Sequence, residues 1–221
     1  MIKNLTRGLT PLVLILSPLA APSPALSANV VMLPDALAEL TEAAEDPDGF
    51  RVSAFPHWNA GLDPADGCDT RSEVLLAEAV DAPATGANCA LTGSRWTSYY
   101  DGQNVSDPAA LHVDHLVPLA EAWASGASGW SAARRERFAN DQGAAATLVA
   151  VTTRGQRDRA GRDPADWVPS DASRYCRYIG EWVATKLRWG LSADKDEVEA
   201  LKLFADGPCE ETVVIRSTSP H

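Results

Sequence analysis

An aspartate and a histidine stand side by side at positions 114 and 115, at the end of a segment that alternates apolar and polar residues. A carboxylate such as Asp114 can bind a hard divalent cation through oxygen. An imidazole such as His115 can accept a proton from water near neutral pH. Together the two side chains could activate water beside a metal ion. A structural interpretation stays open beside this one, in which Asp114 caps a turn and His115 is a surface histidine.

The elements around this pair are needed to position it. Alternation over Leu111–Leu116 predicts a strand that ends at Pro118. Neighbouring residues on a strand point to opposite faces, so both can serve one site only where the strand bends or ends. A helix over 131–140, capped by its serine, should follow, and then a short strand over 148–152 that leads into a polar stretch at 154–162.

Outside this centre the pattern favours helices. We predict a first helix over Pro34–Glu45, an extended segment at Trp96–Tyr100, a long helix over Tyr175–Leu191 and a last helix capped by Ser192. Periodicity does not decide between strand and helix for Glu73–Val80. The expected fold class is α+β, with a small sheet inside a helical frame.

The start of the chain resembles a secretory signal peptide. Two cationic residues, Lys3 and Arg7, precede an apolar run over 9–21, and the small residues Ala25 and Ser27 suit cleavage. A membrane anchor is the alternative, but the run is short and interrupted by prolines. We therefore predict a signal peptide over 1–27 and a single mature domain over 28–221. The protein should be secreted, extracellular or periplasmic, without membrane association after cleavage.

The chain has 221 residues, 45% of them hydrophobic and 22% charged, which is a globular composition and excludes disordered and collagen-like classes. An even number of cysteines in an exported chain favours disulfides. The sequence contains no C-x-x-C pair of the kind found in zinc sites. Three connectivities are open. We favour the sequential one because it closes short loops, and it pairs Cys68 with Cys89 and Cys176 with Cys209.

The central motif extends beyond the Asp-His pair. Residues 111–123 read LHVDHLVPLAEAW, and this segment is similar to the core motif of secreted bacterial HNH (His-Me finger) endonuclease family proteins. The similarity covers almost the whole mature chain from Cys68 onward, through the segments 68–71, 100–102, 125–127, 138–141, 148–151, 163–167, 176–178 and 182–189.

This resemblance implies a disulfide-stabilised ββα-metal core, at about residues 105–165, inside the helical frame. It implies that His115 activates water and that Asp114 binds one divalent cation, Mg²⁺ or Mn²⁺. Asn140 matches the asparagine that helps to hold the loop and orient the histidine. The resemblance also implies a second metal ligand at the start of the following helix, in the pattern Asn-x-x-Lys.

The chain departs from that pattern, because Gln156 and Arg159 stand where the asparagine and the lysine belong. Gln156 keeps an amide oxygen for the metal but places it one methylene further out. Asp158 is a further candidate ligand if the helix is rotated. We expect Arg159 to hold the scissile phosphate, with Arg157 and Arg162 behind it as substrate-binding residues.

The net charge opposes a nucleic-acid substrate, but its distribution does not. The mature chain has 17 basic and 30 acidic residues, hence a net charge of −13, which disfavours long-range attraction to a polyanion. Residues 29–111 carry a net −11, whereas seven arginines against three acidic residues give 134–162 a net +4. The expected site therefore lies in the basic region, although these arginines could also be solvated helix faces.

The leading hypothesis is a metal-dependent endonuclease that acts non-specifically on DNA, with RNA left open. The alternative is a non-catalytic extracellular binding module that keeps the fold but has a degraded metal site. A hydrolase of another phosphodiester is a third hypothesis. The sequence leaves the oligomeric state open.

Overall fold

The computed structural model describes residues 29–144 and 146–217, so the predicted signal peptide lies outside the described residues. The α-helices are α1 (Leu33–Ala38), α2 (Thr70–Ala77), α3 (Leu119–Ala124), α4 (Ala132–Ala139), α5 (Thr153–Arg159), α6 (Tyr175–Trp189) and α7 (Lys195–Ala205). The strands are β1 (Asn29–Met32), β2 (Ala84–Thr85), β3 (Leu91–Thr92), β4 (Trp96–Thr97), β5 (Asn104–Val105), β6 (Leu111–His115), β7 (Leu148–Thr152) and β8 (Val213–Arg216).

The strands pair antiparallel, two by two. β6 pairs with β7, β1 with β8, β2 with β3 and β4 with β5. The predicted mixture of helices and small sheets is confirmed. Among the described residues, no helix is both long and apolar enough to cross a membrane.

The sheet of β6 and β7 is the centre of the fold. Its register runs from Leu111 opposite Thr152 to His115 opposite Leu148. β7 is buried along its whole length, whereas β6 alternates between buried and half-buried residues. α5 follows β7 directly, because the side chain of Thr152 accepts a hydrogen bond from the Gly155 N–H at 2.9 Å and so caps the helix. Both predicted strands are confirmed.

The outer edge of β7 has no partner strand among the described residues, but its backbone groups at Ala150 and Thr152 are paired with other segments. Tyr99 N–H donates to the Ala150 carbonyl at 2.9 Å, and the Glu78 carboxylate accepts from the Ala150 N–H at 2.9 Å. Thr152 N–H donates to Ser98 Oγ at 3.0 Å. This edge is therefore closed to pairing with another chain.

Two disulfides, Cys68–Cys89 and Cys176–Cys209, confirm the sequential pairing. The first lies in a buried cluster with residues of β6 and β7, among them Leu111 and Leu148. The second joins α6 to the segment that follows α7. The long helix is confirmed too, and it ends at Gly190, whose φ of +65° suits glycine.

Two element predictions need correction, and one undecided segment is now assigned. The first helix ends at Ala38 because the backbone of Thr41 and Ala43 bonds to Ala193 instead of continuing the helix. The undecided segment at 73–80 lies mostly in a helix, α2. The last helix is capped by Asp194, which accepts from the Glu197 N–H at 2.8 Å, and not by Ser192.

Glu78 supplies a pH-dependent contribution to stability. Burial raises the pKa of its carboxyl to about 7, against the opposing effect of the hydrogen bond from Ala150. The folded chain thus keeps a proton that the unfolded chain loses near the usual glutamate pKa, so stability falls as pH rises from about 4.5 to 7. In Glu78→Gln the amide oxygen still accepts from the Ala150 N–H, but the side chain no longer titrates. The fall in stability with rising pH that Glu78 causes should therefore disappear.

We compare the free energy of unfolding of Glu78→Gln with that of wild type at two pH values. The variant minus wild-type difference should be ~2–3 kcal/mol higher at pH 8 than at pH 4.5. Urea denaturation at both pH values measures it. Glu210→Gln, at an exposed position, is the matched control and should show no such change. A difference between Glu78→Gln and wild type that does not vary with pH would contradict the assignment.

Candidate functional site

His115 ends β6 with its side chain almost fully buried, 7% exposed. Its Nε2 lies 2.9 Å from the Ala139 carbonyl oxygen. A carbonyl can only accept, so Nε2 carries the hydrogen and Nδ1 keeps a free lone pair. Nδ1 has no hydrogen-bond partner among the described residues. Burial lowers the pKa of His115 to about 4, and the imidazole is therefore neutral at pH 7.

Aromatic rings enclose this imidazole on several sides. The indole of Trp58 stacks on it with ring centroids 5.5 Å apart and planes inclined by 25°. The ring of Phe138 lies 6.4 Å away at 20°. The ring of His57 is perpendicular to it at 5.8 Å. The histidine is thus held in one orientation by packing and by one hydrogen bond.

Asp114 belongs to the other face of β6, as the alternation of the strand requires. Its Oδ2 accepts from Arg159 Nη1 at 3.0 Å and from the Tyr100 hydroxyl at 2.9 Å. Burial raises the pKa of Tyr100 well above its usual value, so the hydroxyl stays protonated and donates. The Asp114 side chain remains 19% exposed.

Arg159 was expected to hold a phosphate, and the structure contradicts this. Its side chain is completely buried. It donates to the carbonyls of His115, at 2.8 Å, and of Leu116, besides Asp114 and the Tyr100 hydroxyl. The guanidinium is already engaged by these oxygens, so Arg159 serves to position the end of β6.

Asn140 fastens a distant loop beside His115. Its Nδ2 donates to the Pro56 carbonyl at 2.9 Å and to the Glu136 carbonyl at 2.8 Å, and its Oδ1 accepts from the Asn59 N–H at 3.1 Å. The preceding residue, Ala139, is the one whose carbonyl holds His115. This arrangement suits the expected role of orienting the histidine.

The candidate residues on and after α5 do not all gather at Asp114. Gln156 lies one helical turn before Arg159, on the same side of α5, and is half-buried. Its side-chain amide has no hydrogen-bond partner among the described residues. Asp158 accepts from Trp167 Nε1 at 3.0 Å and lines a separate hollow of about 240 Å³. The structure therefore does not bring Asp158 to the predicted metal site.

The two expected substrate-binding arginines differ. Arg157 is exposed and has no partner among the described side chains. The guanidinium of Arg162 instead donates to the backbone carbonyls of Asp158 and Arg159 at the end of α5, and to that of Asp166 beyond it. Arg162 therefore caps this helix end, and Arg157 remains available to an anionic ligand.

A second group of oxygen donors lies elsewhere. Glu45, Glu121 and Asp163 place carboxylate oxygens within 4.8 Å of one another, an arrangement that could hold a metal ion. Lys186 donates to Glu121 at 2.6 Å from the same region. This group was not predicted, since its members come from three distant segments.

Sequence reasoning also missed His57, Trp58 and Tyr100 as neighbours of the central pair. His57 has no motif around it, and 58 residues separate it from His115. Only for Tyr100 did the sequence hold a signal, because this residue belongs to the Tyr-Asp-Gly segment at 100–102, which is part of the resemblance.

Comparison with known proteins finds one family relation. The chain is 32% identical over 186 residues to an uncharacterized secreted protein of Arthroderma benhamiae, which covers 84% of this chain and 89% of that protein. No family model matches the chain, and no solved structure matches it. The predicted secretion is confirmed by this secreted relative together with the two disulfides.

The predicted membership of the secreted bacterial HNH endonuclease family is wrong. The relative is a fungal secreted protein, and no family model supports the assignment.

Removing the buried cation should be far more costly than removing an exposed one on the same helix. Arg159→Met leaves the Asp114 carboxylate without its cation and the carbonyls of His115 and Leu116 without this donor, so we expect a loss of about 3–5 kcal/mol of unfolding free energy. Arg157→Met, the matched control, should change it by at most ~0.5 kcal/mol. Urea or thermal denaturation compares them, and equal stability of the two variants would refute the positioning role.

Proposed function

We propose that the chain acts as a metal-dependent endonuclease that hydrolyses phosphodiester bonds of DNA. It belongs to the same family as the secreted Arthroderma benhamiae protein, so this activity would take place outside the cell. RNA remains an open second substrate. The observation that carries this proposal is His115, a neutral imidazole with one nitrogen fixed by a carbonyl and the other free to accept a proton.

In this proposal His115 is the general base. Its Nδ1 takes a proton from the attacking water, while the Ala139 carbonyl keeps the ring in the required tautomer. The positive charge that develops on the ring stays close to the Asp114 carboxylate, which favours the protonated form. Asn140 supports the step by holding the backbone around Ala139 and the loop that covers the ring.

Asp114, on the face of β6 opposite to His115, and Gln156, on α5, offer oxygens that fit one divalent cation. Among the described residues, Asp114 Oδ1 accepts no hydrogen bond and the side-chain amide of Gln156 has no partner. Both are hard oxygen donors, as Mg²⁺ and Mn²⁺ prefer, and water and phosphate oxygens complete such sites. The cation would neutralise charge on the phosphate and the leaving oxygen. The unit of β6, β7 and α5 would then serve as a ββα-metal core.

The exposed side of α5 supports an anionic polymer as substrate. Arg154 and Arg157 lie three residues apart on this helix, so they share one face. Both are exposed and neither has a partner among the described residues. Cations of this kind contact phosphates without reading sequence, which agrees with non-specific cleavage.

A second function has one observation in its favour. The ion pair between Arg159 and Asp114 already neutralises the carboxylate that the metal requires. A chain with this pair could bind an extracellular ligand with the same fold and without catalysis. The two proposals differ in whether the site hydrolyses its ligand or only binds it.

Plasmid nicking separates them. With Mg²⁺ or Mn²⁺ we expect wild type to relax supercoiled DNA, EDTA to abolish the reaction, and His115→Ala to lower the rate at least ~100-fold, the usual contribution of a general base. Gln156→Asn tests the metal ligand at the same position. An inert wild type together with an active Gln156→Asn would favour the binding module.

If both wild type and Gln156→Asn are inert with every divalent metal, the nuclease proposal is wrong. The matched control is Arg95→Gln, which replaces an exposed arginine in the acidic half of the chain whose side chain pairs with Asp81. Its rate should equal that of wild type.

A further inference from the structure

A short loop places the rings of His57 and Trp58 against His115 and is fastened at both ends. We call residues 55–59 the strap. Asn140 holds its Pro56 carbonyl and its Asn59 N–H. Asn59 also accepts a hydrogen bond from the Thr70 hydroxyl at 2.8 Å and from the Thr70 N–H at 3.0 Å. The residues between these anchors therefore have a defined place.

The strap contains a backbone conformation that side chains other than glycine seldom adopt. Trp58 has φ of +57°, which is unfavourable for a bulky residue. In this conformation its indole stacks on His115 and meets the ring of His57 edge to face at 5.1 Å. The strained residue thus sets the distance between the two imidazoles.

His57 has one committed and one free ring nitrogen. Its Nδ1 lies 2.8 Å from the Phe55 carbonyl oxygen, so that nitrogen carries hydrogen. Its Nε2 has no partner among the described residues. The side chain is half-buried, whereas His115 is almost enclosed. Two imidazoles in contact, one enclosed and one reaching the surface, can divide the two proton transfers of a hydrolysis.

We propose that His57 is a second catalytic residue, the general acid that protonates the leaving oxygen; this rests on the proposed endonuclease function. His115 Nδ1 removes a proton from water, and the water oxygen forms a bond to phosphorus. The bond from phosphorus to the sugar oxygen breaks, and its electron pair stays on that oxygen. His57 enters this step as the imidazolium, with hydrogen on both nitrogens; Nε2–H gives its proton to that oxygen and leaves a neutral ring whose hydrogen stays on Nδ1. Afterwards His115 holds one more proton and His57 one fewer, and exchange with water restores both.

The test depends on the leaving group. The sugar alkoxide released from DNA is a strong base and needs a proton, whereas p-nitrophenolate released from bis(p-nitrophenyl) phosphate is a weak base and does not. His57→Asn is the informative variant, because its amide N–H can still donate to the Phe55 carbonyl while Nε2 is lost. Trp58→Phe is the comparison variant, since it disturbs the packing of both imidazoles and leaves their nitrogens in place.

We expect His57→Asn to lower the rate on plasmid DNA about 100-fold and the rate on bis(p-nitrophenyl) phosphate less than about threefold. Trp58→Phe should lower both rates by the same factor. Thermal denaturation confirms that each variant is folded. If His57→Asn lowers both rates equally, the residue only positions His115, and if it lowers neither, it takes no part; either result overturns the proposal. A wild type inert on both substrates would instead refute the endonuclease function itself.

Discussion

A fully buried arginine must find acceptors inside the protein, and Arg159 finds them at one place, the end of β6. Leaving a guanidinium unpaired in a medium of low dielectric constant would cost many times the net worth of one hydrogen bond. The chain therefore has to bring the last residue of α5 against the carbonyls of His115 and Leu116. This requirement fixes α5 relative to the sheet of β6 and β7. It also fixes the place of the Asp114 carboxylate, which accepts from the same arginine.

Aromatic rings surround the Arg159 guanidinium on its other sides and also stabilise its buried charge. Its guanidinium carbon lies 5.4 Å from the ring centroid of Tyr100, 5.6 Å from that of Trp182 and 6.0 Å from that of Trp167. Ring faces attract a cation, most strongly when water is excluded. The arginine thus joins α5 and β6 to the long helix α6, and it does so without occupying the face of β6 on which His115 lies.

Local patterns were sufficient to predict the elements that this arginine joins. Alternation predicts β6, a β-prone run predicts β7, and helical spacing predicts α6, because each signal comes from residues close in sequence. The contents of the site depend on distant contacts instead. Nothing near position 57 or 58 indicates that these rings lie against His115, and nothing near Arg159 shows that its charge is turned inward.

The capping residue of α7 shows the same limit on a smaller scale. Ser192 and Asp194 are both good N-cap residues by type, and only the tertiary contact of Ser192 with the Ser125 carbonyl leaves Asp194 to cap the helix. The departures from the expected metal-site pattern at 156 and 159 could likewise be seen in the sequence. Their consequence could not, since it depends on which side of α5 meets the sheet.

Secretion and the geometry of the site are physically connected through the first disulfide. Cys68 and Cys89 lie in the buried cluster that contains the inner residues of β6 and β7. Two residues after Cys68, Thr70 begins α2 and holds Asn59 of the strap. A cross-link that restricts the unfolded chain at this point favours the ordered form of this segment. Such bonds persist in oxidising surroundings. The ordered conformation of the strap against His115 should therefore be most stable outside the cell, to which the chain is exported.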